Sequence, residues 1–341
     1  MANSRKLIVH CGLHKTGSTA LQRQLSLLAD DLERDGLYLP STFSKTRGAH
    51  HAMAHYLRRP RAFRRHQNQF AAFVEELQDA KADQFCVSSE DFETMLGNRL
   101  ALGCLGDIAS QADLQPVLVV YLRNQAEYFE SLYLQMLRMG MDLTVEECLD
   151  QIIETGQLAW RKWIFQFDYN AFASIVDEAG FELVLRDYHD LKGGSSTRDF
   201  LSLLNKDAFV SETEADKRVN AARKDQNLLH FSRNILGGDR YDPSVVGEMD
   251  KLVVDRRPSL STAMRTRLAE RLSTGNEALR ERSGIDLNAI FDATSTEKAS
   301  PLIDRVFTAE TLNAVVELSH AAAGLPQEVA DRLREYWFCS D

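Results

Sequence analysis

The sequence predicts an α/β protein in which a central parallel sheet lies between layers of helices, followed by a mostly helical C-terminal part. Three observations predict it. Leu7-Ile8-Val9 and Val117-Leu118-Val119-Val120-Tyr121-Leu122 are apolar, partly β-branched runs, as expected of strands covered on both faces. Between such runs apolar residues recur at helical spacing, first at Leu21, Leu25, Leu28 and Leu32. Strand and helix signals then alternate over roughly residues 5–205, the pattern that builds parallel sheets.

Composition sets the outer bounds. The chain has 341 residues, 44% of them hydrophobic and 26% charged, which suits one globular domain with a sizeable core. A net charge of −10 argues against bulk nucleic-acid binding, although a local basic pocket is compatible with it. Cys11, Cys86, Cys104, Cys148 and Cys339 are dispersed without a C-x-x-C pair and read as reduced thiols. The N-terminus lacks the apolar core of a signal peptide, and no run reaches the ~18 apolar residues that would span a membrane. A cytoplasmic protein without integral membrane contact is expected.

The first unit reads strand, loop, helix. Gly12 and Gly17 punctuate the loop after Leu7–Val9, with Lys15 between them and Ser18 and Thr19 behind. This arrangement aims backbone N–H groups and the positive end of a helix dipole at one spot, where a phosphate fits. A Walker A loop would carry lysine directly after the second glycine, but Ser18 stands there and the lysine is Lys15. The loop therefore suits a shorter phosphate chain than a nucleoside triphosphate.

Gly36 reads as a helix stop and Leu37–Pro40 as a short second strand. His50, His51 and His55 follow in a polar stretch. The basic run Arg58 to His66 is a solvated face, or a rim that attracts an anionic acceptor or nucleotide. A helix is expected over 67–81, with Phe70, Phe73, Val74 and Leu77 on one face. Gln84–Phe92 reads as a strand ending in polar residues, which places Glu90 and Asp91 at the carboxyl edge of the sheet, where ligands bind in such folds. The strand 116–123 ends in Arg123 rather than in the aspartate a Walker B strand offers to magnesium. Ser131 lies about two turns into the next helix, placed so that a guanidinium and a hydroxyl bracket one phosphate. Residues 143–178 read as helices, with Trp160, Trp163 and Phe167 in the core. Phe181–Arg186 is a further strand, and Tyr188 after it can stack and hydrogen-bond.

His14-Lys15-Thr16-Gly17-Ser18-Thr19 resembles the 5′-phosphosulfate-binding loop of sulfotransferases, and Arg123 with Ser131 resembles their 3′-phosphate motif. Tyr188-His189-Asp190 is similar to a segment in which a tyrosine lies against the nucleotide. The resemblance covers roughly residues 5–205 and is nearest to the divergent bacterial, carbohydrate-type branch. It departs at Ala20, where many cytosolic members have tryptophan, and in the late Arg-Lys-Gly segment, for which Arg223-Lys224-Asp225 and Arg256-Arg257-Pro258 are imperfect matches.

The resemblance implies a P-loop-NTPase-like three-layer fold, in one domain with a nucleotide-binding core to about 205 and a helical extension over 206–341. It implies a transferase that uses 3′-phosphoadenosine 5′-phosphosulfate (PAPS) as donor, needs no metal, and acts on a hydroxyl of a carbohydrate or glycolipid. His14, Lys15, Thr16, Gly17, Ser18, Thr19, Arg123, Ser131 and Tyr188 would bind the nucleotide, and Lys15 would neutralise the departing phosphate. The acceptor's proton needs a base. Glu90 is the first candidate by its place at a strand end, His51 or His50 the second, His14 the third. A P-loop kinase and a non-catalytic nucleotide- or glycan-binding module of the same fold stand as alternatives.

Overall fold

The alternation of side chains along each strand sorts the core into two clusters. Leu7, Val9 and Cys11 join one, and Ile8 joins the other. Leu118, Val120 and Leu122 likewise oppose Val117, Val119 and Tyr121. A sheet buried on both faces produces that division. The computed structural model describes residues 5–14, 16–44, 46–139, 141, 143–191, 194–209 and 260–283.

Five strands make the sheet: β1 (Lys6–Gly12), β2 (Leu37–Tyr38), β3 (Gln84–Ser88), β4 (Gln115–Leu122) and β7 (Glu182–Asp187). Their order is β2-β3-β1-β4-β7, and every pairing is parallel. α1 (Ser18–Leu27), α2 (Ala29–Arg34) and α11 (Ser196–Leu203) cover one face. The other carries α3 (His51–Leu57), α5 (Gln67–Asp79), α6 (Glu93–Leu96), α7 (Arg99–Gln111), α8 (Gln125–Arg138), α9 (Val145–Thr155), α10 (Tyr169–Glu178) and α12 (Thr262–Ser283). The short α4 (Pro60–Arg65) bridges α3 and α5.

Handedness explains this segregation. The chain leaves β1 towards β2 but leaves β3 and β4 in the opposite direction. Right-handed crossovers then place the two sets of helices on opposite faces. Between the carboxyl ends of β1 and β4 the connections diverge and open a crevice. Gly12 is paired with Tyr121 across it, so the loop after β1 and Arg123 emerge side by side.

Two expectations need correction. The helix read through Leu21, Leu25, Leu28 and Leu32 is broken at Leu28 into α1 and α2. The stretch 143–178 is not wholly helical: β5 (Gln157–Trp160) and β6 (Trp163–Gln166) form an antiparallel hairpin. Gly156, at φ 73, ends α9 in the left-handed conformation. Leu158 and Trp160 then alternate inward, and Arg161 at φ 51 makes the turn. Trp160 and Phe167 are buried, as expected of core aromatics.

α11 is held firmly. Asp199 is buried, accepts hydrogen bonds from Tyr121 Oη at 2.9 Å and Arg186 Nε at 2.8 Å, and also pairs with Arg186 Nη2. This presents the start of α11 to the loop after β1. Of the extension, residues 206–209 and 260–283 are described; α12 packs on α8, α9 and α10. Arg223-Lys224-Asp225, Arg256-Arg257-Pro258 and Cys339 lie outside the described residues. Cys11, Cys86, Cys104 and Cys148 form no disulfide among the described residues, and no described helix is long and apolar enough to cross a membrane.

Candidate functional site

The loop after β1 is tightly built. A Cβ at Gly12 would overlap Ser18 Oγ and come within 3.0 Å of Thr16 Oγ1. Gly17 has φ 84 and is the cap residue of α1, and a Cβ there would overlap Ser196 Oγ. Ser18 is buried, and its hydroxyl has no hydrogen-bond partner. An orphaned buried hydroxyl costs free energy unless a ligand satisfies it. It stands at the first position of α1, where helix amides also lack an i−4 carbonyl. Thr19 is exposed one residue further on.

Two loop residues serve the loop rather than its mouth. The Thr16 hydroxyl donates to the Leu13 carbonyl at 2.6 Å, and its N–H points to the same oxygen at 3.3 Å. That amide is therefore not offered to a phosphate, although Thr16 stands among the expected nucleotide-binding residues. His14 turns inward and is buried. Lys15 lies outside the described residues.

His14 leads to a residue the sequence did not single out. Glu93, at the start of α6, is fully buried. Its Oε2 accepts from the His14 backbone N–H at 3.2 Å and lies 2.8 Å from His14 Nδ1. Its Oε1 accepts from Tyr128 Oη at 2.6 Å and the Gln166 backbone N–H at 2.8 Å. One carboxylate thus ties the loop, α8 and the hairpin together. Burial disfavours a charge on His14, but the hydrogen bond and charge of Glu93, helped by Glu90 and Asp91, outweigh it and raise its pKa. The available signal was a glutamate between Phe92 and Met95-Leu96, on a face that has to be buried.

The base candidates separate clearly. Glu90 begins a 3-10 turn, Glu90–Phe92, and accepts from Gln22 Nε2 of α1 at 2.9 Å, which sets it beside the loop's helix. His51 Nδ1 lies 2.8 Å from Ser89 Oγ, 3.4 Å from Asp91 Oδ2 and 3.9 Å from Glu90 Oε2. The hydrogen bond to Asp91 raises the His51 pKa against partial burial, with Glu90 adding to it. Asp91 is held below its ordinary value: burial works the other way, and His51 and His14 overcome it. His50, by contrast, is buried with Nε2 2.9 Å from the Pro40 carbonyl and Nδ1 accepting from the Ser88 N–H at 3.3 Å. Burial lowers its pKa to about 4. Both its nitrogens are engaged, one by the Pro40 carbonyl after β2 and one by β3, so His51 is the available histidine.

Arg123 stands at the end of β4 with its guanidinium 5.5 Å from the Tyr188 ring centre, so the structure brings these two residues together. The Tyr188 N–H donates to the Leu122 carbonyl at 2.9 Å. Arg123 Nε also donates to Glu127 at 3.3 Å, and His189 Nε2 lies 3.0 Å from the same carboxylate oxygen. Ser131 lies one turn beyond Glu127 on the same side of α8 and is half-buried. The Arg123 guanidinium is therefore paired with a carboxylate one helical turn before Ser131. Asn124 caps α8, accepting from the N–H groups of Ala126 at 3.0 Å and Glu127 at 3.2 Å.

Gly12→Ala tests the loop. The added methyl is expected to push the Ser18 hydroxyl into another rotamer and, if the loop holds a nucleotide phosphate, to weaken binding of adenosine 3′,5′-bisphosphate (PAP) about tenfold. Calorimetry measures the affinity, with circular dichroism to check that the fold is kept. Among the described residues no group of three His, Cys, Asp or Glu side chains is arranged to hold a metal ion. No protein-family model, no curated protein and no solved structure matches this chain.

Proposed function

We propose that the protein is a PAPS-dependent sulfotransferase that acts on a hydroxyl of a carbohydrate or glycolipid. One observation carries the reading: a glycine-bounded loop, with a buried and unpartnered Ser18 hydroxyl, opens at the sheet's switch point beside a strand-end arginine. That hydroxyl and the space kept open by Gly12 fit a phosphate. Arg123, backed by Tyr188, offers a second cationic point on the neighbouring strand.

When bound, PAPS supplies the sulfuryl group together with a bisphosphorylated adenosine as leaving group. Ser18 and the first amides of α1 hold the 5′-phosphate, and Lys15 neutralises charge that grows on it. Arg123 and Ser131 hold the 3′-phosphate, which also separates this donor from ATP. His51 or Glu90 accepts the acceptor's proton as its oxygen bonds to sulfur. Glu93 keeps His14, and with it the loop, in position.

Calorimetry with PAP and with ATP decides the matter. PAP is expected to bind in EDTA, more tightly than ATP with magnesium, and Lys15→Ala is expected to weaken it about tenfold. Magnesium-dependent ATP binding without PAP binding would instead make the protein a P-loop kinase. PAP binding without turnover of labelled PAPS on any acceptor would make it a binding module.

A further inference from the structure

His51, His55 and Arg58 occupy positions i, i+4 and i+7 of α3 and its C-terminal cap, so they line one face of that helix. The turn of the β5–β6 hairpin brings Lys162 against the same face. Arg58 Nη2 lies 3.4 Å from both ring nitrogens of His55, so the guanidinium sits over the imidazole. Lys162 Nζ is 3.5 Å from His55 Nε2. Arg58 Nη1 donates to the Lys162 carbonyl, and Arg59 is exposed next to it.

Three features set this cluster apart. The groups are all of one sign, and neither Arg58, Arg59 nor Lys162 has a carboxylate within 4.0 Å among the described residues. The nearest acid, Asp91, is engaged by His51 and by Trp163 Nε1, each at 3.4 Å. Arg58 Nε is buried and has no hydrogen-bond partner. Burial, and after it the neighbouring Arg58 and Lys162, depress the His55 pKa; burial, and after it Arg59, depress that of Arg58. Like charges crowded in this way, with a buried donor unused, leave the site short of an anion.

We propose that His55, Arg58 and Lys162 bind a carboxylate or sulfate carried by the acceptor, which makes the acceptor an acidic saccharide. The proposal deepens the sulfotransferase reading by naming the acceptor class. Along α3, His55 and Arg58 lie four and seven residues from His51, a rise of roughly 6 to 10 Å. A single sugar ring with an acidic substituent spans that range, so its acid group can rest on the cluster while one of its hydroxyls faces His51 and Glu90.

The test uses the full chain, histidine-labelled for NMR, titrated with glucuronate and with glucose. Glucuronate is expected to bind at least tenfold more tightly than glucose and to raise the His55 pKa, because an adjacent anion favours the charged ring. Arg58→Gln and Lys162→Gln are each expected to cut that preference at least fivefold. Lys162→Gln keeps the carbonyl that Arg58 holds, so it separates lost charge from a displaced hairpin. Equal binding of the two sugars, an unmoved His55 signal, or a preference that survives Lys162→Gln would overturn the proposal. If PAP fails to bind the wild-type protein, the donor assignment falls, while a positive His55 result still stands for the anion site.

Discussion

Glu93→Ala is expected to lower the stability of the protein by about 4 kcal/mol, the range in which removing one partner of a buried ion pair falls. The substitution strands four donors at once: the backbone N–H groups of His14 and Gln166, the Tyr128 hydroxyl and the His14 ring. None can turn to water, because Glu93 and Tyr128 are fully buried and His14 nearly so. Urea unfolding reads the effect as a lower midpoint at unchanged slope. Glu93→Gln keeps the shape but replaces one acceptor with a donor, and should fall between the two.

The deficit also has a pH signature. The folded-state pKa of His14 is raised above the ordinary 6.5. Its stabilising contribution is therefore complete below the unfolded value and is lost as pH rises through the raised folded value. The gap between wild type and Glu93→Ala should narrow across that window. A loss below 1 kcal/mol for the alanine variant, or a gap that widens with pH, would remove Glu93 from the centre of the fold.

If the protein is the sulfotransferase proposed above, loss of its base should cost turnover about 10²- to 10⁴-fold, the usual contribution of a positioned proton acceptor. If His51 holds that role, His51→Ala carries the whole loss and Glu90→Gln much less. The ring must be neutral to accept a proton, so the rate climbs as pH rises through a pKa above 6.5. Asp91→Asn removes the main group that raises this pKa and should move the inflection to lower pH. If Glu90 is the base, Glu90→Gln carries the loss and the inflection survives in neither place. Initial rates with labelled PAPS, measured from pH 5.5 to 9, distinguish the two.

The unit from Leu7 to Leu25 was legible because every signal in it is local: apolar run, glycines, then helical spacing. β4 and the arginine after it were legible for the same reason. The hairpin was missed because its turn, Arg161-Lys162, lacks the glycine, asparagine or aspartate that usually marks one, and because tryptophans at 160 and 163 suit a helix as well as a strand. Glu93 was missed because its meaning comes from His14, Tyr128 and Gln166, distant in sequence and joined only by the fold. The ranking of the histidines could not be read either: His50 and His51 are neighbours in the chain, yet one props the Pro40 carbonyl and the other lies beside Glu90 and Asp91. The helix start at Glu90 gave no hint that Gln22 would reach across to it.

The β5–β6 hairpin takes no part in the five-stranded ladder. It is fastened at its base by Gln166 to Glu93 and near its tip by Trp163 to Asp91 and by the Lys162 carbonyl to Arg58. Such a fitting can be swapped at its exposed end without disturbing the five parallel strands. The turn residues Arg161 and Lys162 can therefore change in evolution independently of the five-stranded core and the loop that follows its first strand.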